Sequence, residues 1–181
     1  MSMDRDIAKV LYTEQQLKQR VAELGAEISR DYADKDNIIV VGILRGSYIF
    51  MADLTRCITL PCQVDFMALS SYGKGTSSSG QIQIKKDLSE TIDGAHVIIV
   101  EDILDSGNTL AYLSKILEFR NAASIKICTL LDKPSRRVKA VSADYCGFVV
   151  PDEFVVGYGL DYAEKYRNLP YIGVLKPEIY S

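Results

Sequence analysis

The chain has 181 residues, of which 48% are apolar and 25% charged, a composition typical of a folded globular protein. This length allows one α/β domain over residues 1–181 with a substantial core. The net charge of −3 argues against a protein that binds DNA or RNA through a basic surface. No segment approaches the roughly 18 consecutive apolar residues of a membrane helix, so we expect a cytoplasmic protein that binds neither nucleic acid nor membrane.

The cysteine and histidine content limits the possible metal and redox chemistry. The four cysteines form no Cys-x-x-Cys pair and are too widely spread for a disulfide framework, so we expect reduced, mostly buried thiols. The only histidine, His96, precedes the apolar run Val97 to Val100 and is expected to begin a strand.

The order of the elements predicts an α/β fold with a mostly parallel sheet flanked by helices. Thr13 and Gln16 form a capping-box pattern at the start of an amphipathic helix that includes Leu17, Val21, Leu24 and Ile28. Apolar runs indicate the strands, and helical spacing indicates two further helices. The predicted strands are 38–43, 64–69, 81–88, 96–101, 124–131, 145–150 and 154–158, and the further helices are 47–56 and 108–120.

The segment Ser70 to Gly80 joins two predicted strands. Eight of its eleven residues are Ser or Gly, so it can bury little surface. It is either a flexible lid over a site or a plain hairpin loop.

Three carboxylates follow the most apolar predicted strand. Glu101 and Asp102 come directly after Val97 to Val100, and Asp105 follows three residues later. Side chains on a regular strand alternate between faces, so we expect the strand to end at Glu101, where the adjacent pair can converge. Two carboxylates at the rim of a buried sheet require a positive or hydrogen-donating partner, which a sugar diol with a divalent cation supplies.

The next residues predict a phosphate-binding loop. Asp105 to Thr109 offers helix-start N–H groups, the Ser106 and Thr109 hydroxyls, and Gly107 for close approach to a ligand. The loop matches neither the GxxxxGK[ST] nor the GxGxxG pattern. Taken alone, a D-S-G turn is also an ordinary connection between strand and helix.

The whole string from Val97 to Leu110 resembles the signature of the type I phosphoribosyltransferases. The resemblance implies their fold, with a small hood formed by the terminal segments and a flexible lid. It implies that Glu101 and Asp102 bind the ribose hydroxyls and Mg²⁺. The residues that it assigns to the 5-phosphate are Asp105, Ser106, Gly107, Asn108 and Thr109.

The resemblance extends from about Ile38 to Arg167 and favours the branch of the family that uses 6-oxopurines. It implies a cis peptide bond between Leu44 and Arg45, in the loop Leu44 to Tyr48 that binds pyrophosphate. Taken alone, Lys133 is typical of a solvated loop and Phe154 of a core, so their roles rest on the resemblance. The implied assignments are Arg45, Gly46 and Arg167 for pyrophosphate, Ser71 and Tyr72 for the lid, Lys133, Phe154, Val155 and Asp161 for the purine, and Glu101, Asp102 and Asp161 for Mg²⁺.

The implied reaction joins hypoxanthine or guanine to the sugar of 5-phosphoribosyl 1-pyrophosphate in a homodimer or homotetramer, with Asp105 accepting or sharing the purine proton. Taken alone, Asp105 is also an ordinary N-cap of the following helix. Lys133 and the segment around Phe154 disfavour adenine and pyrimidines, whereas a preference for xanthine stays open. A regulatory relative that senses the sugar pyrophosphate without turnover is a second alternative. The chain departs from the family pattern at Asn108, where many relatives have lysine. The loop therefore lacks that positive charge and relies more on N–H groups and hydroxyls to bind phosphate.

Overall fold

The computed structural model describes residues 3–71 and 82–180, without the side chain of Ser71. Its main feature is a six-stranded sheet of β2 (Ile38–Leu44), β3 (Gln63–Ser71), β4 (Ile82–Lys86), β5 (His96–Leu104), β6 (Ser124–Asp132) and β7 (Tyr145–Val149). The strands lie in the order β4-β3-β2-β5-β6-β7. All neighbouring strands are parallel except β3 and β4, which are antiparallel.

Helices cover both faces of this sheet because its central strands are apolar on both sides. The helices are α1 (Glu14–Asp31), α2 (Tyr48–Cys57) and α3 (Asn108–Phe119). Val40, Ile98 and Val100 pack with α1 and α2, whereas Val41 and Ile99 pack with α3. The capping box at the start of α1 is confirmed, since Gln16 N–H donates to Thr13 Oγ1 and Thr13 N–H donates to Gln16 Oε1.

The terminal segments form a second, smaller sheet, which is the predicted hood. Its elements are β1 (Ile7–Tyr12), β8 (Val155–Val156), β9 (Ile172–Leu175) and the short helix α4 (Pro177–Tyr180). The strand order is β1-β9-β8 with antiparallel pairing throughout. Strands β1 and β9 are not among the predicted strands; they are short, and they pair with each other across nearly the whole chain length.

Two expectations change in detail. All four cysteines are free, but only Cys128 is buried. Strand β5 continues to Leu104 instead of ending at Glu101.

Among the described residues, no helix has both the length and the apolar content required to cross a membrane.

Candidate active site

Two cavities lie at the carboxyl ends of the parallel strands, where ligands bind in open α/β sheets. We call the first, of about 480 Å³, the acidic cavity. We call the second, of about 570 Å³, the aromatic cavity. The acidic cavity is lined by residues that include Arg45, Gly46, Glu101, Asp102, Ser106, Asn108, Thr109, Asp161 and Arg167. The aromatic cavity is lined by residues that include Lys9, Asp105, Lys133, Glu153, Phe154, Val155, Asp161 and Tyr180.

Glu101 and Asp102 both line the acidic cavity, although the strand does not end at Glu101 as predicted. Pairing of β5 with β2 stops at Val100, whereas pairing with β6 continues to Leu104. Beyond Val100 one edge of β5 is therefore released from its neighbour, and both carboxylates reach the cavity there. The two carboxylates therefore converge because β5 loses one partner strand, and not because the strand ends at Glu101 as predicted.

The acid pair is poorly solvated. Glu101 is only 8% exposed, and burial, together with the charge of Asp102, raises the pKa of its carboxyl well above the usual range. Burial also raises the pKa of Asp102, while the nearby Arg167 opposes this rise. Two adjacent carboxylates of this kind, one buried and one half-buried, fit a hard divalent cation such as Mg²⁺, which would compensate their charge.

The loop after β2 packs against this acid pair. The peptide bond between Leu44 and Arg45 is cis, as the resemblance implied. At the next residue, a Cβ atom added to Gly46 would overlap Oδ2 of Asp102. The loop can therefore approach the carboxylate only because residue 46 has no side chain.

The loop Asp105 to Thr109 turns from β5 into α3, as predicted. Gly107, the residue before α3, has a φ of 81°, a left-handed conformation that favours glycine. The backbone N–H groups of Val138 and Lys139 both donate to the Ser106 carbonyl oxygen, at 3.0 and 3.1 Å. The loop is thus fixed in place, and the exposed Asn108 lies at its rim.

Arg137 supports the same loop, a role that the sequence reasoning missed. Its Nε donates to the Asp105 carbonyl oxygen at 3.0 Å, and its guanidinium forms an ion pair with Asp132 at the end of β6. The sequence shows two adjacent arginines, Arg136 and Arg137, and only tertiary contacts reveal which of them points inward.

Lys133 is buried in the wall of the aromatic cavity, with only 6% of its surface exposed. Its Nζ donates to the Glu153 carbonyl oxygen at 2.8 Å and lies 3.9 Å from Asp152 Oδ1. An ammonium has three protons to donate, so Lys133 keeps capacity for an acceptor inside the cavity. Lys133 is therefore buried, unlike the solvated lysine that is typical of such a loop.

Phe154 borders the cavity and is not a core residue, since it is 37% exposed. The ring of Tyr180, in α4, stacks on it with ring centroids 4.8 Å apart, and Tyr162 contacts it edge-on at 5.5 Å. Tyr180 is a cavity residue that the sequence reasoning missed, because only the folded hood brings the last turn of the chain to Phe154.

Asp105 and Asp161 connect the two halves of the site. Asp105 lines the aromatic cavity and also a small cavity of about 220 Å³ beside Glu101 and Ser106. Within the described residues, its buried Oδ1 has no hydrogen-bond partner. Asp161 lines both of the larger cavities, and its Oδ1 lies 2.8 Å from Nη2 of Arg167.

The structure thus brings together the residues expected to bind the sugar, the phosphates and the base. Among residues 3–71 and 82–180, no group of three acidic, histidine or cysteine side chains could hold a metal ion by itself. A Mg²⁺ ion would therefore need substrate oxygens or water to complete its coordination. Of the lid prediction, Tyr72 lies outside the described residues, and Ser71 is the last residue of β3.

Comparison with known proteins identifies the family of this chain. Residues 8–163 match the model of the phosphoribosyl transferase domain. A hypoxanthine-guanine phosphoribosyltransferase of Bacillus subtilis is 54% identical over 179 residues, which are 99% of each chain. The crystal structure of a hypoxanthine phosphoribosyltransferase from Staphylococcus aureus has a TM-score of 0.95 and 50% identity, covering 99% of this chain and 97% of that one.

A longer relative also matches. The bifunctional protein TilS/HprT of Listeria innocua is 56% identical over 180 residues, and the match covers 99% of this chain but 28% of that protein. The match to the domain model and the full-length identity to the Bacillus protein lead to one conclusion. The chain belongs to the phosphoribosyl transferase domain family.

Proposed function

We propose that this protein transfers the 5-phosphoribosyl group of 5-phosphoribosyl 1-pyrophosphate to hypoxanthine or guanine, as part of purine salvage. The observation that carries the proposal is that Asp161 lines both the acidic and the aromatic cavities, while Asp105 lines the aromatic cavity and the small cavity beside Glu101. One cavity suits a charged sugar phosphate, and the other suits a flat ring with a polar edge. The relatives from Bacillus subtilis and Staphylococcus aureus, a hypoxanthine-guanine and a hypoxanthine phosphoribosyltransferase, support the same substrates.

The sugar pyrophosphate fits the acidic cavity. Glu101 and Asp102 would accept hydrogen bonds from the ribose hydroxyls, while Ser106, Thr109 and the N–H groups at the start of α3 would hold the 5-phosphate. Arg45 and Arg167 supply positive charge for the pyrophosphate from two different loops. Without the lysine that many relatives have at the position of Asn108, the 5-phosphate relies on neutral donors and the helix terminus.

Mg²⁺ is the cofactor that this site would use. Glu101 and Asp102 are its candidate protein ligands, and Asp161 is a candidate for a second ion if it releases Arg167. When bound, the ion neutralises charge on the departing pyrophosphate.

The purine fits the aromatic cavity. Lys133 would donate to the 6-oxo group, whereas the 6-amino group of adenine offers it no acceptor. Phe154 would stack on the ring, and the backbone of Val155 would read its edge. The support for this orientation is that Lys133, Phe154 and Asp105 line one cavity.

In the proposed reaction, a ring nitrogen of the purine forms a bond to the anomeric carbon while the bond from that carbon to the pyrophosphate oxygen breaks. The proton on the purine imidazole ring passes to Asp105, whose buried Oδ1 is free of partners among the described residues. Lid closure by Ser71, Tyr72 and the residues after them would exclude water, which could otherwise attack the cation-like sugar.

The proposal extends to assembly and location. We expect a homodimer or homotetramer that works in the cytoplasm. The four free cysteines support a reducing compartment. Light scattering would give the mass of the assembly.

A base panel tests the function. Pyrophosphate release is measured with hypoxanthine, guanine, xanthine and adenine, each with Mg²⁺ and with a chelator. We expect Mg²⁺-dependent release with hypoxanthine and guanine and little with adenine. Release fastest with xanthine would change the assigned substrate. No release with any base, together with tight binding of the sugar pyrophosphate, would favour a regulatory protein.

A further inference from the structure

Two arginines that line the acidic cavity share a single carboxylate. Arg45 Nη2 lies 2.5 Å from Oε1 of Glu164, and Arg167 Nη2 lies 3.5 Å from Oε2 of the same side chain. Arg45 belongs to the loop after β2, whereas Glu164 and Arg167 belong to the loop between β8 and β9. Glu164 therefore bridges two chain segments at the place where their positive charges meet.

The backbone holds Glu164 in this position. Ala163, Glu164 and Tyr166 all have positive φ, at 50°, 64° and 74°, a conformation that is uncommon for residues other than glycine. The Glu164 N–H donates to Asp161 Oδ2 at 2.9 Å, which ties the turn to the acid beside Arg167. The turn thus adopts an unfavourable backbone conformation while it places a carboxylate between two arginines.

Stability does not account for this arrangement. The side chains of Arg45 and Glu164 are 67% and 58% exposed, and ion pairs this exposed contribute little to the free energy of folding. The shared carboxylate instead resembles an anionic ligand, because carboxylate and phosphate oxygens bind the same donor edge of a guanidinium.

We infer that Glu164 occupies, in the free protein, the position of a pyrophosphate oxygen between Arg45 and Arg167, and that it competes with pyrophosphate for these arginines. This inference rests on the proposed function, which assigns both arginines to pyrophosphate. Glu164 must release the arginines before pyrophosphate can use them, and its negative charge repels the ligand. It therefore weakens the binding of pyrophosphate and speeds its release after the reaction.

Calorimetric titration with Mg²⁺-pyrophosphate tests the inference on the whole protein. Glu164→Gln removes the charge and keeps the size, and Glu118→Gln removes the charge of another exposed glutamate, on α3. We expect Glu164→Gln to bind pyrophosphate about three- to tenfold more tightly than the unchanged protein, and Glu118→Gln to bind equally. The inhibition constant of pyrophosphate as a product should fall by the same factor.

Unchanged or weaker pyrophosphate binding by a folded Glu164→Gln variant would overturn the inference. Glu164 would then either have no effect on pyrophosphate binding or hold the two arginines in place for it. If this variant does not fold, Glu164→Asn is the substitute, since asparagine tolerates positive φ. Failure of the proposed function looks different: the unchanged protein would then neither bind Mg²⁺-pyrophosphate nor release it in the base panel.

Discussion

Gly46 and Asp102 are packed so closely that a Cβ atom on residue 46 would overlap the Asp102 carboxylate. We predict that Gly46→Ala displaces the loop 44–48, which is proposed to bind pyrophosphate, from Glu101 and Asp102. The Michaelis constant for the sugar pyrophosphate should rise by about tenfold or more, because small displacements at reacting groups are costly. The free energy of unfolding should fall by about 1 to 3 kcal/mol from overpacking.

Gly94→Ala serves as the control for this substitution. Gly94 has a φ of 69°, but a Cβ atom there would meet no other atom within 4 Å. This variant should lose stability from backbone strain and keep the Michaelis constant. If both variants gave the same Michaelis constant as the unchanged protein, the contact between Gly46 and Asp102 would have no role in binding.

Asp105→Asn should lower turnover by about 10² to 10⁴, the range for a lost general base, and leave the affinity for the sugar pyrophosphate largely intact. Asparagine has nearly the same shape but cannot accept the proton. Steady-state kinetics with hypoxanthine and direct binding of the sugar pyrophosphate provide the two readouts. The exposed Asp36→Asn is the matched control, and turnover that matched this control would remove Asp105 from the mechanism.

Lys133→Met should reduce the discrimination between hypoxanthine and adenine. A hydrogen bond from a charged group contributes about 1.5 to 3 kcal/mol, so the ratio of kcat/KM values for the two bases should fall by about 10- to 100-fold. Methionine fills a similar volume, which limits the change in packing. Lys115→Met on α3 is the control, and an unchanged ratio in the Lys133 variant would show that another group recognises the 6-oxo position.

Glu101→Gln should stabilise the protein at neutral pH while abolishing activity. Because burial raises the pKa of Glu101, the folded state favours the protonated acid, and stability is lost as pH rises through the raised pKa. Glutamine avoids this loss of stability. A gain of about 1 kcal/mol in the free energy of unfolding at pH 8 should raise Tm by roughly 2 to 4 °C.

The gain should shrink as pH falls below the raised pKa of Glu101, because the carboxyl of the unchanged protein then becomes protonated. Thermal unfolding in a chelator, with Glu118→Gln as the control, measures this. A lower Tm for Glu101→Gln at pH 8 would contradict the view that burial of the Glu101 carboxyl destabilises the free protein.

Much of the fold could be predicted because local and tertiary preferences agree. The spacing of Leu17, Val21, Leu24 and Ile28 predicts the buried face of α1, and all four are buried. The apolar run Val97 to Val100 predicts a strand covered on both sides, which β5 is. Strands β1 and β9 escaped prediction because their pairing depends on residues about 165 positions apart.

The site was predictable where its residues are adjacent in sequence. Glu101, Asp102 and the loop to Thr109 form one string, and their type and order indicate a sugar phosphate. The predicted reason for the convergence of Glu101 and Asp102, the end of the strand, was wrong. Strand β5 continues to Leu104, and only its pairing with β2 ends at Val100. Arg137, Glu164 and Tyr180 are joined to the site by tertiary contacts alone, so no local pattern marks them.

The most direct test of the account is a crystal structure with Mg²⁺, 5-phosphoribosyl 1-pyrophosphate and a hypoxanthine analogue that has carbon in place of the reacting ring nitrogen. We predict the 5-phosphate at Ser106 to Thr109, the ring against Phe154 with its 6-oxo group at Lys133 Nζ, and the reacting edge facing Asp105. A purine bound outside the aromatic cavity, or a sugar pyrophosphate bound away from Glu101 and Asp102, would contradict the proposed site.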